Sequence, residues 1–198
     1  MNFKTRPVNR EEFFKIIETL TTGYTTSDGR KVRPNIPVAF AITLEGNLGI
    51  RISDIVELTL SDIKFEGGRY HLDIYEKKTD KHRIFTVPQS TYIYIQNYAL
   101  NNAIKPTQRL VPLSTRAVQA ALKMCCEYLG LKDISTHSFR KFMAISIYNQ
   151  NKDIELVRSI LQHASYSSTR AYISCEPKVI EDALNQHIAL PNIPLSQA

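Results

Sequence analysis

The sequence of 198 residues has no tryptophan, only three cysteines and no long hydrophobic run. Cys125 and Cys126 are adjacent, so the cysteines form neither a disulfide framework nor the CxxC spacing of a metal knuckle. No stretch approaches the ~18 apolar residues of a membrane-spanning helix, and residues 1–4 are too polar to begin a signal peptide. We therefore expect a cytoplasmic protein that has no membrane partner and no disulfide-stapled fold.

Glycine and proline are also sparse, with seven and nine residues, and the sequence has no internal repeat. Disordered chains and solenoid repeats are therefore excluded. A chain of this length can bury one sizeable core. We expect residues 1–198 to form a single domain.

The excess of basic over acidic residues is modest and unevenly distributed. Lysine and arginine number 25 against 19 acidic residues, a formal net charge of +6. The surplus lies in residues 1–34, 64–83 and 105–141, whereas acidic residues prevail in 35–63 and after 142. Basic blocks of this kind suit an anionic partner such as nucleic acid. Charge alone is equally typical of a solvated basic surface.

Hydrophobic periodicity predicts an α+β fold that is mainly helical and has one small three-stranded antiparallel sheet. Before the sheet we expect a helix over 11–20, an irregular basic loop, a buried helix opened by Pro37 and a helix over 52–58. Alternation with period two places the strands at 63–65, 69–75 and 83–87. The helices expected after the sheet are 89–101, 115–129, 138–149, 154–162, 168–173 and 177–188.

Arg51 is the first candidate for chemistry, because it follows a glycine break and has apolar neighbours. A permanently charged guanidinium in such surroundings needs an anionic partner. That partner could be a ligand, or it could be internal, with Asp54 or Glu57 the nearest acids. The spacing does not decide between them.

A second candidate is the segment that carries His137 and Arg140. The two residues are three apart at a predicted helix start, which places them on the same face. An imidazole, a guanidinium and a helix N-terminus together can bind an anion. The alternative is a helix capped by Thr136 with Arg140 merely exposed.

Three further features are weak when taken singly. Basic residues crowd the second hairpin of the predicted sheet, and a hairpin can place a lysine in a DNA groove, although such tips are usually only solvated. His163 ends an apolar helix, where a histidine is usually an ordinary cap. Tyr172 follows nine residues later and could simply be packing. The basic hairpin residues are Lys77, Lys78, Lys81 and Arg83.

Taken together, these fragments resemble the catalytic domain of tyrosine recombinases, the phage integrase family, over residues 39–173. The matching segments are GIRISDIVELTLSDI (49–63), KTDKHR (78–83), THSFRK (136–141) and LQHASYSSTRAYI (161–173). The family typically shows GLRxSEL, a lysine hairpin, HxLRH and LGHxSxxTTxxY. The departures are Ile50, Phe139, Lys141 and Gln162, and none of them removes a reactive group.

The resemblance implies a site-specific DNA recombinase or integrase. It implies that Tyr172 attacks the scissile phosphate and forms a 3′-phosphotyrosine bond, while Lys78 protonates the leaving 5′-oxygen. The residues that the resemblance assigns to catalysis are Arg51, Lys78, His137, Arg140, His163 and Tyr172. Asp54 is expected to support one of them, and Lys77, Lys81, Arg83 and Lys141 are expected to contact DNA. No cofactor, metal or small-molecule substrate is implied.

The resemblance also implies how the chain is organised and with what it assembles. Residues 1–36 would be an N-terminal helix and basic loop, 37–173 the catalytic core and 174–198 a tail. Family members commonly carry a separate N-terminal helical domain that clamps DNA, and we expect none within residues 1–198, so the chain is either an excised catalytic domain or a single-domain recombinase. In related recombinases such a tail docks on a neighbouring protomer. Here the apolar stripe of 177–188 implies a dimer or tetramer on paired sites in double-stranded DNA at the nucleoid, although the helix could fold back on its own domain.

Two other functions remain open on the sequence. A type IB topoisomerase would use the same chemistry to nick, swivel and reseal DNA. A non-catalytic DNA-binding regulator would share the fold, but it would be expected to have lost the tyrosine or an arginine. The presence of all six reactive residues favours an enzyme.

Overall fold

The computed structural model describes residues 5–76, 81–161 and Thr169, with only the backbone given for 76, 81, 83 and 85. Within these residues the helices are α1 (Arg10–Thr22), α2 (Ile36–Leu48), α3 (Ile52–Ile55), α4 (Gln89–Asn101), α5 (Thr115–Tyr128), α6 (Thr136–Asn151) and α7 (Ile154–Leu161). The strands are β1 (Tyr24–Thr25), β2 (Lys31–Val32), β3 (Ile63–Glu66), β4 (Arg69–Glu76) and β5 (Lys81–Val87). Of the predicted helices, 168–173 lies outside the described residues except at Thr169, and 177–188 lies wholly outside them.

The N-terminal segment is more regular than the sequence suggested. Asn9 caps α1 through a reciprocal pair of hydrogen bonds with Glu12, which satisfies two backbone donors at the helix start. The following residues, expected as an irregular loop, form an antiparallel hairpin in which Tyr24 pairs with Val32. The expectation of an irregular loop was therefore wrong. The sequence did not reveal the hairpin because two-residue strands are too short to show alternation.

Helix α2 forms the centre of the core, because nine of its residues are buried. Asn35 caps it and Pro37 occupies its first turn, where the missing N–H has no helical acceptor in any case. The helix packs against α1 on one side and α6 on another. Helix α3, expected to reach residue 58, ends at Ile55 and is followed by a single 3-10 turn, Leu60–Asp62.

The predicted antiparallel sheet is present, in the order β3-β4-β5. Its register pairs Ile63 and Phe85 with Leu72 from either side, and Leu72 is completely buried. The strands follow the predicted alternation and extend a residue or two further. One face of the sheet packs on the helices, since Leu72 is buried and Tyr70 stacks on Tyr92 of α4, whereas Tyr75 on the other face is exposed.

Helices α5 and α7 begin where the sequence places their caps, whereas α6, expected from residue 138, begins at Thr136. The Ser114 side chain accepts from the Ala117 N–H at the start of α5, and Asp153 accepts from the N–H groups of Glu155 and Leu156 at the start of α7. Helices α6 and α7 pack through a small apolar cluster of Met143, Ala144, Val157 and Leu161. In the described part of the chain, no helix combines the length and apolar character needed to cross a bilayer.

Candidate active site

The turn between α2 and α3 carries Arg51. Gly49 ends α2 in the left-handed conformation, with φ of 63°, and its N–H donates to the Glu45 carbonyl. The chain then becomes extended at Arg51, which immediately precedes α3 and is half-buried. The backbone conformation favours glycine at residue 49, and a Cβ there would force the Met143 methyl to shift.

Arg140 reaches this turn from α6. Its side chain is only 1% exposed, although arginine is rarely buried in proteins without partners. Nη1 donates to the Gly49 carbonyl, and Nη2 donates to the Leu161 carbonyl over 2.9 Å. Arg140 therefore connects two backbone segments. One is the turn that carries Arg51, and the other is the end of α7, which precedes His163 in the sequence.

His137 lies one helical turn before Arg140. Ser135 caps α6 together with Ser138, so Thr136 is not the cap. His137 is exposed whereas Arg140 is buried, so the two residues of this motif face different surroundings despite their spacing. The alternative in which Arg140 is merely exposed is wrong, because α6 packs this side of its first turns against α2.

A buried carboxyl, that of Glu45, lies close enough to Arg140 to interact with it. Glu45 is 1% exposed, and burial raises the pKa of its carboxyl well above the usual range. The Arg140 guanidinium and a hydrogen bond from the Ile52 N–H act in the opposite direction on that pKa. Sequence reasoning missed Glu45, although a single acid within the apolar sequence of α2 was a usable signal.

Asp54, expected to support the site, lies in α3 and is 5% exposed. Ser53 Oγ lies 3.4 Å from its Oδ1, at the limit of a hydrogen bond. Glu57, the other acid considered as an internal partner of Arg51, makes an ion pair with Arg109. Across the residues with assigned positions, no group of three or more acids, histidines or cysteines is arranged to hold a metal ion.

The structure describes the basic hairpin as far as residue 76 and again from residue 81. Lys77 and Lys78 lie outside the described residues, as do the side chains of Lys81 and Arg83, whose backbones pair with Glu76 and Ile74. On the solvent face, Asp73 contacts His82 and accepts from Lys64 over 2.8 Å. Hydrogen bonds from Lys64 and then His82 lower the pKa of Asp73. These cross-strand contacts brace the base of the hairpin.

Lys141, predicted to contact DNA, is half-buried and donates to the Thr5 carbonyl. The adjoining N-terminal residues are held to the same region, since Arg6 makes a bidentate pair with Glu12 and its N–H donates to the Asp133 carbonyl over 2.9 Å. Lys141 therefore helps to anchor the N-terminal segment beside α6.

The last two predicted catalytic residues, His163 and Tyr172, lie outside the described residues. Their segment is flanked by Leu161, which accepts from Arg140, and it contains Thr169, which is fully buried. The structure thus brings together the elements of Arg51, Arg140 and Glu45, with exposed His137 on the same helix as Arg140.

Comparison with known proteins decides the family. The model of the phage integrase family matches residues 30–178, which is well over half of the chain. The chain belongs to the phage integrase family. This member is 31% identical over 135 residues to the probable integrase/recombinase YoeC of Bacillus subtilis (strain 168), a match that covers 66% of this chain and 73% of YoeC. The family expected from the sequence is confirmed.

Similarity to solved structures confirms the α+β fold that was expected for this chain. The XerH site-specific recombinase bound to palindromic difH substrate in a post-cleavage complex has a TM-score of 0.71 at 20% identity, covering 93% of this chain and 54% of that one. A lambda integrase dimer bound to a COC′ core site has a TM-score of 0.65 at 17% identity, covering 99% of this chain and 65% of that one. The chain therefore spans less than two thirds of either structure.

Proposed function

We propose that this family member is a site-specific DNA recombinase that cleaves and rejoins strands through a covalent bond to Tyr172. Membership of the family supports this, and so does one contact network: Arg140 binds the carbonyls of Gly49 and Leu161. That network ties the Arg51 turn to the start of the segment that contains His163 and Tyr172. A reaction that needs all these groups at one phosphate requires such a connection.

The proposed reaction is a transesterification. The Tyr172 Oη loses its proton and bonds to phosphorus, the bond from phosphorus to the 5′-oxygen breaks, and that oxygen takes a proton from Lys78. Attack by a 5′-hydroxyl reverses the step without an external energy source, because one phosphodiester replaces another. Attack by the hydroxyl of a different strand is recombination.

The charged groups have proposed roles in the same step. Arg51 and Arg140 stabilise the negative charge on the non-bridging oxygens, since a guanidinium presents several N–H donors in a fixed plane. Arg140 is buried and binds two backbone carbonyls in the structure, so it would reach a phosphate only after a local rearrangement. His137 and His163 donate to the phosphate or take the tyrosine proton. This set supplies the charge and the proton transfers that the step requires, so the proposed reaction needs neither metal nor cofactor.

Double-stranded DNA with paired sites is the proposed substrate, acted on at the nucleoid in the cytoplasm. The basic hairpin, with Lys77, Lys81 and Arg83, supplies phosphate contacts, whose affinity falls steeply with salt. Lys141 would reach DNA only after leaving the Thr5 carbonyl. We propose a dimer or larger assembly on DNA, in which residues 177–188 dock on a neighbouring protomer.

Replacement of Tyr172 tests the chemistry. A pool of nicked duplexes with randomised sequence, incubated with the protein and resolved on a denaturing gel, should yield a covalent protein–DNA adduct. Tyr172→Phe should abolish the adduct, because phenylalanine has no nucleophilic oxygen. Tyr128→Phe is the matched control and should retain it, since Tyr128 stacks on Tyr24 in another part of the fold. An adduct that persists in Tyr172→Phe would exclude this nucleophile.

Removal of residues 177–198 tests the assembly. The truncated chain should still form the covalent adduct, but its complex with a two-site DNA should dissociate more readily, because the apolar stripe of 177–188 is absent. Native gel electrophoresis on one-site and two-site duplexes measures both properties. Two-site complexes of unchanged yield and lifetime would show that the tail is not the docking element.

A further inference from the structure

Glu45 is a buried carboxyl that lies outside every motif of the family resemblance. It occupies α2, four residues before Gly49, and is 1% exposed among the apolar residues of that helix. A carboxyl removed from water costs free energy unless hydrogen bonds or charges compensate it. Its surroundings show which contacts supply that compensation.

The first contact joins Glu45 to the backbone of α3. The Ile52 N–H donates to its carboxyl, and Ile52 is the first residue of α3, directly after Arg51. The opening N–H groups of a helix have no acceptor within the helix, so an external carboxyl there determines how the first turn begins. The Glu45 carbonyl also accepts from the Gly49 N–H over 3.0 Å. Residue 45 thus contacts both ends of the turn 49–52, through its backbone at Gly49 and through its carboxyl at Ile52, and only the second contact depends on the side chain.

The second contact is electrostatic and involves Arg140. The Arg140 guanidinium acts on the Glu45 carboxyl and favours its charged form. The same guanidinium binds the Gly49 carbonyl, in the middle of the turn that Glu45 holds. Glu45 and Arg140 therefore enclose the turn 49–52 from α2 and from α6.

We propose that Glu45 is a positioning residue, which holds the turn 49–52 and so keeps the Arg51 guanidinium in register with Arg140. The inference rests on the proposed function, because the relative position of the two arginines matters only if both bind one phosphate. Glu45 needs no contact with DNA, since it acts through the backbone of the turn.

Two substitutions separate the hydrogen bond from the volume of the side chain. Glu45→Gln keeps the shape and an oxygen that accepts from the Ile52 N–H. Glu45→Met removes the acceptor, and it should still fold, since methionine is a strong helix former and apolar in a buried position. Leu44→Ala is the control, because Leu44 is completely buried next to Glu45 in the same helix and its side chain has no group that could accept from the Ile52 N–H.

Amide exchange at Ile52 and adduct formation at saturating DNA are the two measurements. Glu45→Met should accelerate exchange at Ile52 about tenfold or more and slow adduct formation about 10- to 100-fold, the loss expected from a displacement of about 1 Å. The DNA affinity of Glu45→Met should change by less than about threefold. A slower adduct rate at saturating DNA would then reflect the chemical step and not weaker binding. Glu45→Gln should match the wild type in exchange at Ile52 and slow adduct formation less than Glu45→Met does, because it keeps the acceptor and loses only the charge on which Arg140 acts. Leu44→Ala should exchange normally at Ile52.

Several results would overturn the inference. These are wild-type exchange or wild-type adduct rates in folded Glu45→Met, an equal loss in Glu45→Gln, and an equal loss in Leu44→Ala. If the wild-type protein forms no adduct with any DNA, the proposed function fails instead. The exchange measurement then still decides whether Glu45 holds the turn, since it needs no DNA.

Discussion

Replacing Arg140 with methionine is expected to lower the free energy of unfolding by about 3–5 kcal/mol. Methionine fills much of the same volume, but it leaves the carbonyls of Gly49 and Leu161 buried without their donor. It also removes the cation that offsets the burial of Glu45. For a chain of this size the loss corresponds to a decrease of about 10 °C in Tm.

Thermal and denaturant unfolding of Arg140→Met against the wild type measure this effect. Arg116→Met is the matched control, because Arg116 is exposed on α5 and its loss should change the free energy of unfolding by less than about 0.5 kcal/mol. Arg140→Lys should fall between the two, since an ammonium cannot present the planar fork that reaches both carbonyls. A Tm of Arg140→Met equal to that of the control would contradict the structural role of Arg140.

Replacing Gly49 with alanine is the second change with a large expected effect, about 2–5 kcal/mol of the free energy of unfolding. A non-glycine residue at a φ of 63° costs about 1–2 kcal/mol, because its Cβ crowds the following carbonyl. The added Cβ also collides with the methyl of Met143, which is packed against α7, and overpacking of this kind costs about 1–3 kcal/mol. Adduct formation should fall as well, since the turn carries Arg51.

Gly130→Ala separates the two contributions. Gly130 has a φ of 68°, and a Cβ there would meet nothing within 4 Å, so only the backbone strain applies. Gly130→Ala should therefore lose about 1–2 kcal/mol and retain the adduct. Chemical denaturation of both variants measures the difference. Equal destabilisation of the two would mean that Met143 moves aside at no cost.

Local pattern was sufficient to predict much of this fold. The three-stranded sheet follows from alternation with period two between glycine and proline breaks, and the caps at Ser114 and Asp153 follow from side chains that satisfy nearby N–H groups. Both depend on residues within a few positions of one another. The β1–β2 hairpin was missed because two-residue strands carry no period. Helix α3 ends at Ile55, and the Leu58 carbonyl accepts from the distant Leu110 N–H instead of from a helical neighbour.

Contacts between distant residues could not be predicted in this way. Spacing placed His137 and Arg140 on one face, but only the packing of α6 on α2 buries one and leaves the other exposed. Lys141 looked like a DNA contact because it is basic and follows the motif. Its acceptor, the Thr5 carbonyl, lies 136 residues away in sequence and has no signal near Lys141.

The sequence by itself determined the family, and it indicated the candidate reactive residues and their order, because a reaction requires particular functional groups and these are visible as residue types in sequence. The tertiary structure decided which of them are buried and what holds them. Helix packing closed α2, α6 and α7 around the turn 49–52, so Arg140 became a link between backbone segments and Glu45 its buried neighbour. Burial depends on which surfaces meet, and no single helix specifies that.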